Sequence, residues 1–187
     1  LIPLLDSGNL TVVGRLSPET RRDIVQLVAL RAMDSVSPGS LEITIIDPNA
    51  DAPLACMPDL IGEARIVRSI SDPGRQLRDH LAEQKESMVA VANRLGADHH
   101  SLGEMSAELG RQEFPYRLMI LLEADRYLDR EQSAILETIL ARGPKNGLSV
   151  ITFLSEFPKA GTGELAANIS LHSTVIQELE RGWSVVG

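Results

Sequence analysis

The sequence predicts an α/β fold of three layers, a mainly parallel sheet flanked by helices, and two features of the chain predict it. Four apolar blocks run without polar alternation: Leu10 to Val13 (LTVV), Leu41 to Ile46 (LEITII), Arg117 to Leu122 (RLMILL) and Leu148 to Leu154 (LSVITFL). Continuous runs rich in Ile, Leu and Val suit strands covered on both faces. Between these blocks lie longer stretches with helical spacing, and strand–helix alternation builds βαβ units on a parallel sheet.

In chain order, the first strand leads into VVGRLSPETRR, where Ser17 is a capping residue, Pro18 fits the first helical position and Glu19 suits the positive helix end. The spacing places Ile24, Leu27, Val28 and Arg31 on one face of that helix, which should end near Ser35 to Gly39. A longer helix is expected from about Gly74 to Leu95, closed by Gly96, then a short helical piece before the break at Phe114–Pro115. A further helix covers Arg130 to Arg142, GPKNG supplies the next turn, and a last strand is expected at Ser173 to Leu179. Trp183 is expected at the edge of the core. No internal repeat or low-complexity tract interrupts this order.

The chain has 187 residues, which favours one domain over residues 1–187. It begins with Leu1, with no charged segment leading into an apolar one, so an excerpt of a longer multi-domain chain is expected rather than a signal peptide. No apolar run approaches the roughly 18 residues a membrane helix needs. A soluble protein without membrane insertion is expected. The lone Cys56 gives no internal disulfide and no zinc site, which suits the cytoplasm. A net charge of −8 argues against broad contact with nucleic acid, as do the few aromatic residues.

In a sheet of this kind ligands bind at the carboxyl ends of the strands, so the loop after the first strand is where chemistry is sought. A phosphate-cradling Walker A loop has the form GxxxxGK(S/T), with glycines for close backbone approach, lysine for the β and γ phosphates and a hydroxyl for magnesium. Gly14 matches the first glycine, but Glu19, Thr20 and Arg21 stand where glycine, lysine and hydroxyl belong. Two readings stay open: a capped strand–turn–helix that holds no ligand, or phosphate contact through Arg21 or Arg22. At the end of YRLMILLEADRYLD, Glu123 is a carboxylate at a strand terminus, suited either to a general base or to a solvated turn. His99 and His100 are adjacent and lack metal-ligand spacing, so exposed loop positions are expected for both and no metal site for the chain. The charge run Asp125, Arg126, Asp129, Arg130, Glu131 reads as a solvated helix start.

Taken in order, these segments resemble the FtsK/SpoIIIE (FtsK–HerA) branch of P-loop ATPases, whose fold is the RecA-like P-loop NTPase fold. IIDPNADAPL is similar to the segment IDPKGxxL after that family's second strand. Leu122–Glu123 stands where the family carries a DE pair, so the resemblance implies that the magnesium-ordering aspartate is replaced while Glu123 keeps the place of the water-activating glutamate. ILARGPKNGLSVITFLSEFP resembles the stretch ending ATQRP, with Arg142, Gly143, Gly147 and Pro158 in register and Ser155 and Glu156 in place of threonine and glutamine. GTGELAANISLHSTV resembles a later segment through Gly163, Ala167, Asn168 and Ile169.

The resemblance implies a degenerate nucleotide site at Gly14, Thr20, Arg21, Asp125 and Ser155, and a domain that supports, regulates or recruits within a DNA or protein translocase. Its partners would be other ATPase domains of the same or a related chain, with DNA or a secreted protein reached through the larger assembly. The alternative is a divergent active motor that binds ATP and Mg, with Glu123 as base and Arg142 donated in trans to a neighbour's nucleotide.

Overall fold

A computed structural model describes residues 5–6, 8–57, 67–156, 169, 171–179 and 182–186. Its sheet has seven strands: β1 (Asn9–Val13), β2 (Leu41–Ile46), β3 (Val67–Ile70), β4 (Tyr116–Leu121), β5 (Leu148–Leu154), β6 (Ser173–Leu179) and β7 (Gly182–Val186). They lie in the order β3-β2-β4-β5-β1-β6-β7. Every pairing is parallel except β6 with β7. The four strands expected as continuous apolar runs, β1, β2, β4 and β5, lie side by side within the sheet, and the fold is of the expected α/β class.

The sheet is flanked by helices α1 (Pro18–Asp34), α2 (Arg75–Leu95), α3 (Leu102–Leu109) and α4 (Arg130–Arg142). On one face α1 packs Val25, Ala29 and Ala32 against Ile43, Ile45, Leu118, Ile120, Ile151 and Phe153. On the other, Leu77 and Leu81 of α2 and Leu136, Ile139 and Leu140 of α4 pack against Ile46, Met119, Leu121, Val150 and Leu154. Side chains alternate across each strand, so consecutive apolar residues fill two cores at once, and this gives three layers.

Of the expected face of α1, Ile24 and Val28 pack half-buried against the core, and the other two residues do not. Leu27 is 58% exposed and Arg31 is exposed, while the buried stripe is Val25, Ala29 and Ala32. The two alanines let the helix lie close to the sheet, and bulk predicted the face less well than fit. Trp183 is likewise not a core edge: it stands on the outermost strand, 47% exposed. Two strands, β3 and β7, have no counterpart in the sequence reading.

The helix ends follow their sequence signals. Asp129 and Gln132 form a reciprocal capping box at the start of α4. Gln132 Nε2 then donates to Pro73 O at 2.7 Å, which ties α4 to the start of α2. Asn9, 1% exposed, donates to Leu140 O and His172 O and accepts from Val150 N, all within 3.0 Å. This side chain pins the amino end of β1 to α4, β5 and the approach to β6.

Candidate functional site

The carboxyl ends of β2, β4, β5 and β1 are neighbours, and a cleft of about 560 Å³ opens there. It is lined by Gly14, Arg15 and Leu16 after β1, Arg21 of α1, Glu123, Asp125 and Arg126 after β4, and Phe153 to Glu156 at the end of β5. Five sequence-predicted positions, Gly14, Arg21, Glu123, Asp125 and Ser155, therefore meet in one place.

The loop after β1 is short because each residue has a fixed role. Gly14 N donates to Leu154 O at 3.0 Å, extending the β1–β5 ladder by one residue. Leu16, 9% exposed, sinks into the α1-side core. Ser17 caps the helix at once: its Oγ accepts from Thr20 N at 3.2 Å and contacts Thr20 Oγ1 at 3.1 Å. Thr20 is thus spent on the cap and does not line the cleft.

A helix start leaves four backbone N–H groups without intrahelical partners, and those groups make helix ends attract anions. Here those of the first three helical residues are taken up or absent. Pro18 has no N–H. The Glu19 carboxylate bonds its own backbone amide and Ser17, and these bonds hold it below the usual carboxylate range. Thr20 N goes to the Ser17 hydroxyl, and the first intrahelical bond follows at once, from Arg21 N to Ser17 O at 3.0 Å.

At the end of β4, Leu122 N continues the ladder to Ile46 O, and the Leu122 side chain is 1% exposed in the α1-side core. Glu123 then turns the chain in the left-handed conformation, φ 53° and ψ 44°. For a residue with a Cβ this costs about 1–2 kcal/mol. Its carboxylate offsets that cost, because charge-assisted hydrogen bonds contribute about 1.5–3 kcal/mol each. Arg21 Nη2 lies 3.0 Å from Glu123 Oε1, while Arg126 Nη1 and Asn49 Nδ2 reach Oε2 at 2.7 and 3.0 Å. Arg21 also approaches Asp51 Oδ2, at 3.4 Å, a weaker contact.

Asn49 and Asp51 belong to the loop after β2, which folds around Asp47. The buried Asp47 carboxylate accepts from Asp51 N at 3.1 Å and Ala52 N at 2.8 Å. Across the cleft Ser155 N donates to Asp125 Oδ1 at 3.1 Å, and Arg15 pairs with Glu156. Beneath this rim burial, with Asp125, Glu123 and Asp47 nearby, pushes the Tyr127 phenol far up, so it stays neutral.

Arg142 is not part of this assembly. It ends α4, and the chain then turns through Pro144–Asn146 into the amino end of β5, opposite the cleft. His100 is exposed as expected, but the His99 side chain is only 13% exposed and sits 3.0 Å from Glu108. The charge run behaves as a helix start, with Arg78 bridging to Asp129 and Glu131. Pro158, Gly163, Ala167 and Asn168 lie outside the described residues, and Ile169 is buried. Asn49, Asp51, Arg15 and Arg126 were missed as site residues. The IIDPNADAPL segment was the available signal for the first two.

Among the described residues no lysine lines the cleft, and Arg21, its least exposed arginine, is engaged by carboxylates. Among the described residues, no group of three or more His, Cys, Asp or Glu could hold a metal ion.

No family model matches the sequence, and no curated protein matches it. Solved structures do. ATPases 2 and 3 of EssC from Geobacillus thermodenitrificans superpose with a TM-score of 0.65 at 16% identity over 91% of this chain. ATPases 2 and 3 of Thermomonospora curvata EccC, in complex with a signal sequence peptide, give 0.68 at 14% identity over 92%. The pCW3 conjugation coupling protein TcpA gives 0.66 at 10% identity over 91%. The chain has the P-loop NTPase fold. It spans about a third of the EssC and EccC chains and 48% of TcpA. Within that fold, the cleft at the ends of β1, β4 and β5 is the region the sequence reading assigned to the nucleotide. No helix among the described residues is long and apolar enough to cross a membrane.

Proposed function

We propose that this chain is a nucleotide-independent ATPase-like domain of a translocase, one that supports, regulates or recruits within a larger assembly. The observation that carries the reading is the closed helix start: Ser17 and Glu19 occupy, and Pro18 removes, donors that a phosphate would need. Leu122 in the core and Arg21 on Glu123 support it from the magnesium side of the site.

Residues 1–187 would form one domain of a longer cytoplasmic chain, working beside other ATPase domains. The multi-ATPase architecture of the EssC and EccC chains supports such partners, and the signal sequence peptide held by EccC favours a secreted protein as cargo. TcpA, a conjugation coupling protein, keeps DNA as the other cargo. The acidic balance gives this domain itself little means of gripping DNA.

The second reading is a divergent motor with Arg21 on phosphate, Glu123 as general base and Arg142 acting on a neighbour's nucleotide. The presence of Glu123, Asp125 and Ser155 around one open cleft favours it. Against it stands the engagement of Glu123 by two arginines, since a base must be free to accept a proton from water. ATP turnover of the full assembly before and after Glu123→Gln separates the two. We expect unchanged turnover; a fall of about 100-fold or more, the scale of a general-base contribution, would establish the second reading.

A further inference from the structure

The cleft contains a cation that the chain itself provides. Resting on the reading above, we infer that Arg21 is a built-in cation of the site, locking the carboxyl end of β4 and the loop after β2 against α1 in one arrangement without nucleotide or metal.

Three segments converge on the Arg21 guanidinium. Glu123 approaches from β4 at 3.0 Å and Asp51 from the β2 loop at 3.4 Å, while Arg21 is fixed in the first turns of α1. The Arg21 and Glu123 side chains are only 12% and 13% exposed, whereas Arg126, the other arginine on Glu123, is 62% exposed. Screening therefore weakens the Arg126 pair much more than the Arg21 pair. The ends of the lock are tied separately: Asn49 Nδ2 binds Glu123 Oε2 at 3.0 Å, and Gln26 of α1 donates to Pro53 O at 2.9 Å.

The tied segments store strain that something must oppose. Glu123, Ala50 and Ala52 all have positive φ, at 53°, 55° and 45°. Non-glycine residues leave that region when they are free to do so. In an active P-loop enzyme, magnesium and phosphate link the helix after the first strand to the acidic strand end. Here a guanidinium joins the same two elements permanently, so the surface formed by the cleft rim is the same in every nucleotide state of the assembly.

The test is amide hydrogen exchange on the full chain without nucleotide, comparing wild type with Arg21→Met, Glu123→Gln and the double variant. Arg21→Met should speed exchange about tenfold or more, equivalent to about 1.4 kcal/mol of opening. The effect should be confined to the Asp51, Ala52 and Arg126 amides, which donate to Asp47 and to Glu123 O. Val150 to Thr152 in β5 should be unchanged. Glu123→Gln should loosen the same amides, and the double variant should add little to the larger single effect. Exchange within about twofold of wild type in Arg21→Met, loosening that spreads equally into β5, or additive effects in the double variant would each overturn the lock. Nucleotide titration of the wild type is a separate result. Binding would sink the proposed function without touching these exchange data, and a silent titration with no loosening would sink the lock alone.

Discussion

Gly14 and Glu178 face each other across the β1–β6 ladder so closely that a Cβ built on Gly14 would lie 2.7 Å from Glu178 Cβ and 2.9 Å from Glu178 Oε2. The glycine is needed here for close approach of two strands, and the approach places a carboxylate beside the first residue of the loop. A phosphate brought to Gly14 would meet that negative charge.

Gly14→Ala should therefore destabilise the fold by about 1–3 kcal/mol, the usual cost of overpacking. Adding Glu178→Ala should restore little, because the nearer clash is with a Cβ that alanine keeps. Urea denaturation of the two variants checks this; full recovery in the double variant would show that the carboxylate, and not backbone proximity, sets the constraint.

The cap is the next element to test. Ser17→Ala removes the acceptor for Thr20 N and should cost about 1 kcal/mol. Ser17→Asp keeps an acceptor and should fall close to wild type. Thermal unfolding distinguishes them, and equal losses in both variants would remove the hydroxyl from the account.

Legibility in the sequence follows the range of the signal. The central strands and α4 were readable because apolar runs and caps are local. β3 (VRSI) is four residues with two polar positions, and β7 pairs only on one side as an edge strand, so neither carries a pattern of its own. Following strand ends found Gly14, Arg21, Glu123, Asp125 and Ser155. It could not find that Asn49 meets Glu123 or that Glu178 meets Gly14, since these contacts depend on sheet order and register.

A buried polar cluster under α2 gives a pH prediction. His80 is 3% exposed, and its pKa is lowered by burial and by the Arg68 charge, with Arg117 adding to the effect and Glu83 opposing it. Gln84 completes the groups on α2, and Glu42 acts on Arg117 from β2. A histidine whose folded pKa lies below its unfolded value of 6.5 contributes stability above that value, and loses it as pH falls through the folded pKa. Stability should thus decline below about pH 6.5, and His80→Gln should flatten that decline. Losses from Glu113 and Asp129, whose pKa values are also lowered by hydrogen bonds, belong to a separate window below pH 4.5. Denaturation midpoints between pH 5 and 8 check the sign; an identical slope in His80→Gln would contradict it.

Arg117 in the same cluster is 6% exposed, and Gln84 Oε1 accepts from its Nη1 at a long 3.4 Å. Burial pulls its pKa down. So poorly compensated a charge adds little to stability, and Arg117→Met should lie within about 1 kcal/mol of wild type or above it. Gln84→Leu, which strands the guanidinium, should cost about 1–3 kcal/mol or more. A larger loss in Arg117→Met than in Gln84→Leu would show that the arginine is a structural asset.

The proposed function holds that the capped α1 start and the Arg21–Glu123 pair leave the cleft without free groups to hold magnesium nucleotide. Isothermal calorimetry of the wild-type chain with Mg-ATP measures this directly. The account predicts no saturable heat at ligand concentrations up to about 1 mM, weaker than roughly −4 kcal/mol of binding. A saturable isotherm with micromolar affinity would contradict it.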